Sequence, residues 1–202
     1  ITQGFRWAAD IAQNYHADHF IWDNGGLGVA LQREAKEIFA DKNMHIYSFF
    51  GQGQVDYPEH LFESMKFTTA SKNNRKNSEV FKNKRSQYYF NLANMIYSTF
   101  QAVVNNVYTD PDKLISFSSK IHNLRKLKSQ LAKIPRIYNN QNNLEVGNKR
   151  YIEQKKIPSP NEADALMMSL ATGNRRSVSV VVPKSMPSYM QNNMGKIFNG
   201  HA

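Results

Sequence analysis

Two aspartates occupy positions where a carboxylate could do chemistry. Asp23 ends the apolar run His19–Asp23 and precedes a glycine turn, the place where open α/β sheets bind their ligands. Asp164 falls between Ala163 and Ala165 in the first turn of a predicted helix, so its carboxylate approaches the core. Such a group is normally paired or bound to a metal, and hard oxygen ligands suit Mg²⁺ or Mn²⁺. The alternatives are a turn former or helix cap at Asp23 and a helix-dipole acid at Asp164.

A basic and aromatic segment, residues 82–89, is the second candidate. Its cations lie at the start of a predicted helix, where backbone N–H groups and cations can bind phosphate together. The polar loop before it adds further cations, and a plain solvated helix start is the alternative. The predicted DNA-binding residues are Lys72, Arg75, Lys76, Lys82, Lys84 and Arg85.

Several chemistries find no support in the residues. The chain has no cysteine, which excludes a disulfide framework, a thiolate zinc site and a cysteine nucleophile. The turn at residues 25–28 matches neither a P-loop nor a Gly-x-Gly-x-x-Gly motif, so we predict no nucleotide site there. Nothing in the sequence supports Ser/His/Asp catalysis.

The charge is positive and unevenly distributed. The chain carries 26 Lys and Arg against 16 Asp and Glu; residues 1–65 have a net charge of −5 and residues 66–202 a net charge of +15. A basic region of this size predicts a polyanionic partner, with nucleic acid first, because neutralised phosphates release counterions. A generally basic, solvated surface is the alternative.

Length and composition predict one folded domain. The 202 residues are 41% hydrophobic, and no apolar stretch is long enough to span a membrane. We therefore expect a soluble, intracellular protein that does not contact membranes. The chain begins at Ile1 instead of a methionine, which suggests a piece of something longer. We expect a domain over residues 1–173 and a polar tail over 174–202.

Periodicity and turn residues position the two aspartates on an α/β framework. A strand at 19–23, a helix at 27–39 and a strand at 44–50 predict a parallel pair, and Asp164 belongs to the last helix. The remaining predictions are helices at 4–15, 81–104, 114–131 and 161–170, a polar loop at 54–80, a hairpin of 136–138 with 148–154, and an edge strand at 178–182.

Three motifs in order resemble the nuclease domain of the large terminase subunit of tailed double-stranded DNA phages. Residues 21–28, IWDNGGLG, are similar to the family's strand that ends in an acid before a Gly-x-Gly turn. Residues 81–87, FKNKRSQ, are similar to its Asn-Lys-Arg helix start. Residues 159–166, SPNEADAL, are similar to the Ser-Pro-Asp-x-Ala-Asp-Ala-Leu signature of its final helix. The resemblance covers about residues 4–172.

The resemblance implies a ribonuclease H-like fold, a mixed sheet flanked by helices, in which clustered acids hold two Mg²⁺ or Mn²⁺ ions. Asp23 and Asp164 map onto the second and the last of the family's metal-binding acids, so both are expected as ligands. Glu162 could be a peripheral acid, although a helix points it elsewhere. The implied activity is cleavage of concatemeric double-stranded DNA in the host cytoplasm, with the terminase small subunit and the portal or procapsid as partners.

The sequence departs from the family pattern in three ways. The family's first acid lies upstream of the helix that opens this chain, so we expect an N-terminally truncated domain with weak metal binding. No Walker-type motif of an ATPase motor occurs, and Asn161 stands where an aspartate is common. Two other functions remain open: a non-catalytic module that binds DNA or docks on the procapsid, and another ribonuclease H-like nuclease such as a resolvase or integrase.

Overall fold

The computed structural model describes residues 2–62 and 75–172. The predicted tail, its edge strand and Lys72 lie outside these residues. The helices are α1 (Thr2–Asn14), α2 (Leu31–Phe39), α3 (Asn77–Val80), α4 (Lys84–Val104), α5 (Leu124–Ala132), α6 (Lys149–Gln154) and α7 (Asn161–Ser169). The strands are β1 (His19–Asp23), β2 (His45–Phe49), β3 (Arg136–Tyr138) and β4 (Leu144–Val146), and short 3₁₀ turns cover Gly26–Ala30, Pro111–Lys113 and Leu170–Thr172.

The first half of the domain is a strand–helix–strand unit, as the sequence predicts. β1 and β2 pair in parallel, and their register aligns Asp23 with Phe49. A parallel pair needs a crossover connection, and the 3₁₀ turn followed by α2 supplies it. Both strands therefore end at the same edge, and the chain segments that follow them begin there.

Side chains on the two faces of β1 enter different cores, because successive residues of a strand point to opposite faces. Trp22 is buried with residues of α1 and α2, where Ala9 and Ala35 are fully buried and let the helices approach closely. Ile21 packs instead against the larger cluster that joins α4, α5 and α7. That cluster consists of Phe49, Tyr89, Leu92, Leu127, Val146, Ala163 and Met167.

The predicted hairpin of 136–138 with 148–154 is wrong in its second strand. β3 pairs in antiparallel fashion with β4 (Leu144–Val146), which comes earlier in the chain than expected. Asn139 closes the turn tightly because its Oδ1 accepts the N–H of Asn143 at 2.8 Å. Asn148 then caps α6 by accepting the N–H of Tyr151 at 2.9 Å, so the segment predicted as a strand is helical.

Two further boundaries differ from the prediction. The helix expected at 114–131 begins only at Leu124, and in the preceding segment Ser118 Oγ accepts the N–H of Lys120 at 3.2 Å. Serine and asparagine side chains compete in this way with helical hydrogen bonds. The loop predicted at 54–80 contains the short helix α3. The expected α/β class is confirmed, although the described residues carry the parallel and antiparallel pairings in two separate two-stranded sheets.

No helix among residues 2–62 and 75–172 has both the length and the apolar character that crossing a membrane requires.

Gly28 sets the close approach between the 3₁₀ turn and the end of β1. A Cβ at this position would lie 1.7 Å from the backbone oxygen of Asp23, and the Gly28 carbonyl accepts the indole N–H of Trp22 at 3.3 Å. We expect Gly28→Ala to lower the free energy of unfolding by about 2 kcal/mol or more, because backbone has to shift.

Urea denaturation of Gly28→Ala and Gly4→Ala checks this prediction. Gly4 lies in α1, and no atom lies within 4 Å of an added Cβ, so alanine there should be neutral or slightly stabilising. Equal stability of the two variants would contradict the close approach.

Candidate active site

Asp23 stands at the carboxyl edge of the parallel strand pair. It is the last residue of β1, its side chain is exposed, and Oδ1 accepts the N–H of Gly25 at 2.8 Å. The next residue, Asn24, donates its N–H to the Phe49 carbonyl at 2.8 Å, which continues the pairing beyond the strands. The backbone around Asp23 is therefore fixed, while Oδ2 has no hydrogen-bond partner among the described residues.

The start of α4 lies against the same edge and is held by a buried asparagine. Asn83 caps the helix: its Oδ1 accepts the N–H of Ser86 at 2.9 Å and the Ser86 hydroxyl at 2.8 Å. Its amide group donates to Gln52 Oε1 at 3.1 Å, in the loop after β2. Ser86 Oγ in turn accepts the N–H of Val146 on β4 at 3.1 Å. One helix cap thereby joins the two sheets.

The first backbone N–H groups of α4 all have partners inside the protein. Lys84 donates its N–H to the Gly53 carbonyl at 2.9 Å and Arg85 donates to the Gly51 carbonyl at 2.8 Å. With the N–H of Ser86 taken by the cap, none of these three groups is available to a phosphate. The predicted binding of phosphate by these backbone N–H groups is therefore wrong, because the loop after β2 occupies the helix N-terminus.

The side chain of Lys84 contacts an acid that the sequence analysis missed. Its Nζ lies 2.9 Å from Oδ1 of Asp56, and the Tyr88 hydroxyl donates to Oδ2 of the same carboxylate at 2.6 Å. Gln87 also binds the backbone of Asp56 at both its N–H and its carbonyl. The available signal was its place in the loop directly after a strand of a parallel pair, where ligands bind.

Arg85 forms the central contact of the site by binding Asp164. Nε and Nη2 of Arg85 donate to Oδ1 of Asp164 at 3.3 and 3.1 Å, and Nη1 donates to the Gly147 carbonyl at 3.2 Å. The two side chains are 17% and 32% exposed, so solvent screens this pair only partly. Because the Arg85 backbone is bound to Gly51, two residues beyond β2, Asp164 lies near the edge at which Asp23 ends β1.

Tyr89 supplies a further donor to the same carboxylate oxygen. Its hydroxyl donates to Oδ1 of Asp164 at 2.7 Å, and the Arg85 guanidinium lies over its ring, 5.2 Å from the centroid. Burial, followed by the charge of Asp164, raises the pKa of the Tyr89 phenol well above its ordinary value. Tyr89 therefore keeps its proton and acts as a donor.

Two carboxylates at this edge present hard oxygen donors. All described hydrogen bonds to Asp164 reach Oδ1, so Oδ2 has no described partner, and the same holds for Oδ2 of Asp23. No hydrogen bond joins the two aspartates to each other. No group of three His, Asp or Glu side chains among the described residues is placed to hold a metal. The donors fit a magnesium-like ion, which uses one or two carboxylates together with waters and substrate phosphate.

The other predicted DNA-binding cations are spread over the surface. Arg75 donates to the Glu79 carbonyl, and Lys76 pairs with Glu59 at 2.5 Å. Lys82 is exposed and has no ion pair among the described residues. The structure thus places Lys76, Lys84 and Arg85 on carboxylates of the protein itself, and their contact with DNA stays a prediction.

Glu162 points away from Asp164, as its helical position predicts. It accepts from Lys126 and Gln130 of α5, and the hydrogen bond from Lys126, followed by that from Gln130, lowers the pKa of its carboxyl. Gln130 Oε1 also accepts the N–H of Ala163 at 3.0 Å. These contacts join α5 to the first turn of α7, on which Asp164 lies.

The chain is similar to solved structures of a phage protein. It aligns with a lysine-to-alanine mutant of gp2c of the large terminase subunit from bacteriophage Sf6 with calcium, at 36% identity and a TM-score of 0.72, over 83% of this chain and 70% of that one. It also aligns with the nuclease domain of the large terminase subunit gp2 of bacterial virus Sf6, at 38% identity and a TM-score of 0.69, over 83% and 71% of the two chains.

A mutant of that nuclease domain with manganese and beta-thujaplicinol aligns at 38% identity with a TM-score of 0.68, over 83% of this chain and 71% of that one. No family model and no curated protein matches. The similarity confirms the ribonuclease H-like fold that the motifs predict.

The Arg85–Asp164 pair should contribute to stability more than a surface pair does. Removing one partner leaves a partly buried charge without compensation, so we expect Arg85→Ala to lower the free energy of unfolding by about 1–3 kcal/mol. Arg33→Ala is the matched control, because Arg33 pairs with Glu37 on the surface, where the side chains are 90% and 58% exposed.

Urea denaturation of both variants makes the comparison. Arg33→Ala should leave the denaturation midpoint unchanged within experimental error. Similar losses for both variants would mean that Arg85 does not hold Asp164 in solution.

Proposed function

Because this chain belongs to the nuclease-domain family of phage large terminase subunits, we propose that it is a divalent-metal-dependent DNA endonuclease. The proposal depends above all on one observation: Arg85 binds Asp164 through its side chain and Gly51, just beyond β2, through its backbone, which connects α7 to the strand pair that Asp23 ends. Each aspartate retains a carboxylate oxygen with no partner among the described residues. We propose Asp23 and Asp164 as the residues that hold Mg²⁺ or Mn²⁺.

The residues of this chain have separable roles in such a reaction. Asp23 and Asp164 would hold divalent ions, which when bound would supply an activated water and a positive charge for the leaving 3′ oxygen as the phosphodiester is displaced in line. Arg85 and Tyr89 hold Oδ1 of Asp164 and leave Oδ2 without a partner among the described residues. Gly25 performs the corresponding task for Asp23 through its N–H.

The biological substrate in this proposal is concatemeric double-stranded viral DNA, cut during packaging into a procapsid. The net charge of +15 over residues 66–202 supports a polyanionic substrate. The proposed partners are the terminase small subunit and the portal or procapsid, and the proposed location is the host cytoplasm. These assignments extend the family membership to the biology of the whole terminase.

A non-catalytic DNA-binding or docking module is the second candidate. It is favoured by the pairing of Asp164 with Arg85 and by the absence, among the described residues, of a group of three His, Asp or Glu side chains placed to hold a metal. In that case the ion pair would replace a metal as the structural partner of Asp164.

Cleavage of supercoiled plasmid tests the proposal. With Mn²⁺ or Mg²⁺ the chain should nick plasmid, and EDTA should stop the reaction. Asp23→Asn and Asp164→Asn should each reduce nicking to the EDTA level, because each removes a negative metal ligand. Asp41→Asn is the control, since Asp41 is exposed in the turn after α2 and should leave nicking unchanged.

Nicking that persists in both site variants would exclude these aspartates as ligands. DNA binding without nicking under every metal condition would favour the second candidate.

A further inference from the structure

The helix α5 carries a basic face that none of the roles described above uses. Residues 114–136 contain six Lys or Arg and no Asp or Glu. Leu127 and Gln130 face the protein and are 8% exposed, whereas Arg125, Lys128 and Lys133 are exposed. At 100° per residue Arg125 and Lys128 lie on the side of the helix opposite to the buried pair, and Lys133 directly follows the last residue of the helix.

These cations differ from those at the start of α4 in having no acidic partner. The side chains of Arg125, Lys128, Lys133 and the nearby exposed Lys120 form no ion pair or hydrogen bond with the described residues. By contrast, Lys84 and Arg85 are bound to Asp56 and Asp164. The cations of this face are therefore available to an external polyanion, whereas Lys84 and Arg85 are already neutralised by acids of the protein.

The basic face is rigidly connected to the candidate active site. Buried Gln130 accepts the N–H of Ala163 at 3.0 Å, one residue before Asp164, and both Gln130 and Lys126 bind Glu162. Leu127 packs with Ala163 and Met167 of α7. A phosphate backbone bound on α5 would thus be held in a fixed position relative to Asp164.

The helix α2 offers an internal comparison. It has the same length of nine residues and the same Arg-x-x-Lys spacing at Arg33 and Lys36, also exposed. However, Glu34 and Glu37 lie among these cations, and Glu37 binds Arg33. Its face is therefore locally balanced in charge, whereas the face of α5 has one sign.

We propose that the exposed face of α5, formed by Arg125 and Lys128 together with Lys133 directly after the helix, binds the phosphate backbone of duplex DNA and positions it for the aspartates on α7 and β1. This inference rests on the proposed function for its substrate. It moves the main DNA contact from the start of α4, where the sequence places it, to a helix without a recognisable motif.

Salt-dependent binding of a short labelled DNA duplex in EDTA tests the proposal, because no cleavage occurs there. Each lost phosphate contact reduces the magnitude of the negative slope of log K against log salt by about one unit. Arg125→Gln/Lys128→Gln should therefore reduce this magnitude by about two units and the affinity by about tenfold or more near 0.1 M salt. Arg33→Gln/Lys36→Gln gives the same change in net charge and should leave the slope unchanged.

A charge-preserving variant and a thermal melt complete the design. Arg125→Lys/Lys128→Arg should bind like the parent chain, and glutamine is a good helix former, so both neutralised variants should melt near the parent temperature. An equal loss of affinity in the α2 and α5 double variants would overturn the proposal, because overall charge would then explain the binding. An unchanged slope for the α5 double variant would overturn the proposal. A loss of binding to heparin, a polyanion other than DNA, with unchanged affinity for the duplex would also overturn it.

The plasmid assay separates this inference from the proposed function. If the parent chain nicks plasmid and the α5 double variant binds DNA normally, the proposed DNA contact on α5 is wrong and the nuclease assignment is supported. If the parent chain does not nick plasmid while the α5 double variant loses duplex binding, the DNA contact on α5 is supported and the nuclease assignment is wrong.

Discussion

The first turn of α4 is the constraint on which the candidate site depends. A helix start has unpaired N–H groups that require acceptors, and here the Asn83 side chain and the carbonyls of Gly51 and Gly53 provide them. The loop after β2 is thereby bound to α4. The side chains of Lys84 and Arg85 then extend from this anchored turn to Asp56 and Asp164. The loop, the helix start and the two carboxylates are therefore connected through one turn of helix.

The Arg85–Asp164 pair has both a structural and a chemical aspect. An unpaired carboxylate at partial burial is costly, and Arg85 with Tyr89 offsets that cost at a single oxygen. The other oxygen stays without a described partner and is therefore free for the metal that we propose. Asp23 shows the same division, because Gly25 holds one oxygen and the other is open.

The distribution of charge follows from this architecture. Cations near the candidate site neutralise the carboxylates of the protein itself, and the α2 cations lie among glutamates. The exposed side chains of Arg125 and Lys128 on α5 have neither kind of partner, although Gln130 connects their helix directly to α7. Structure and net charge therefore assign different tasks to residues that look alike in the sequence.

The sequence by itself determined the βαβ unit, the positions of Asp23 and Asp164 at element ends, and the family. These features depend on local patterns: the apolar run before Asp23, the glycine turn and the 159–166 signature. The sequence did not determine the partners of Lys84 and Arg85, the pairing of Asp56 with Lys84 or the bounds of β4. It also predicted Asn148 as part of a strand, whereas Asn148 caps α6. Only the tertiary structure decided these, because ion pairs between residues 28 and 79 positions apart and a helix cap that competes with a strand depend on packing between distant segments.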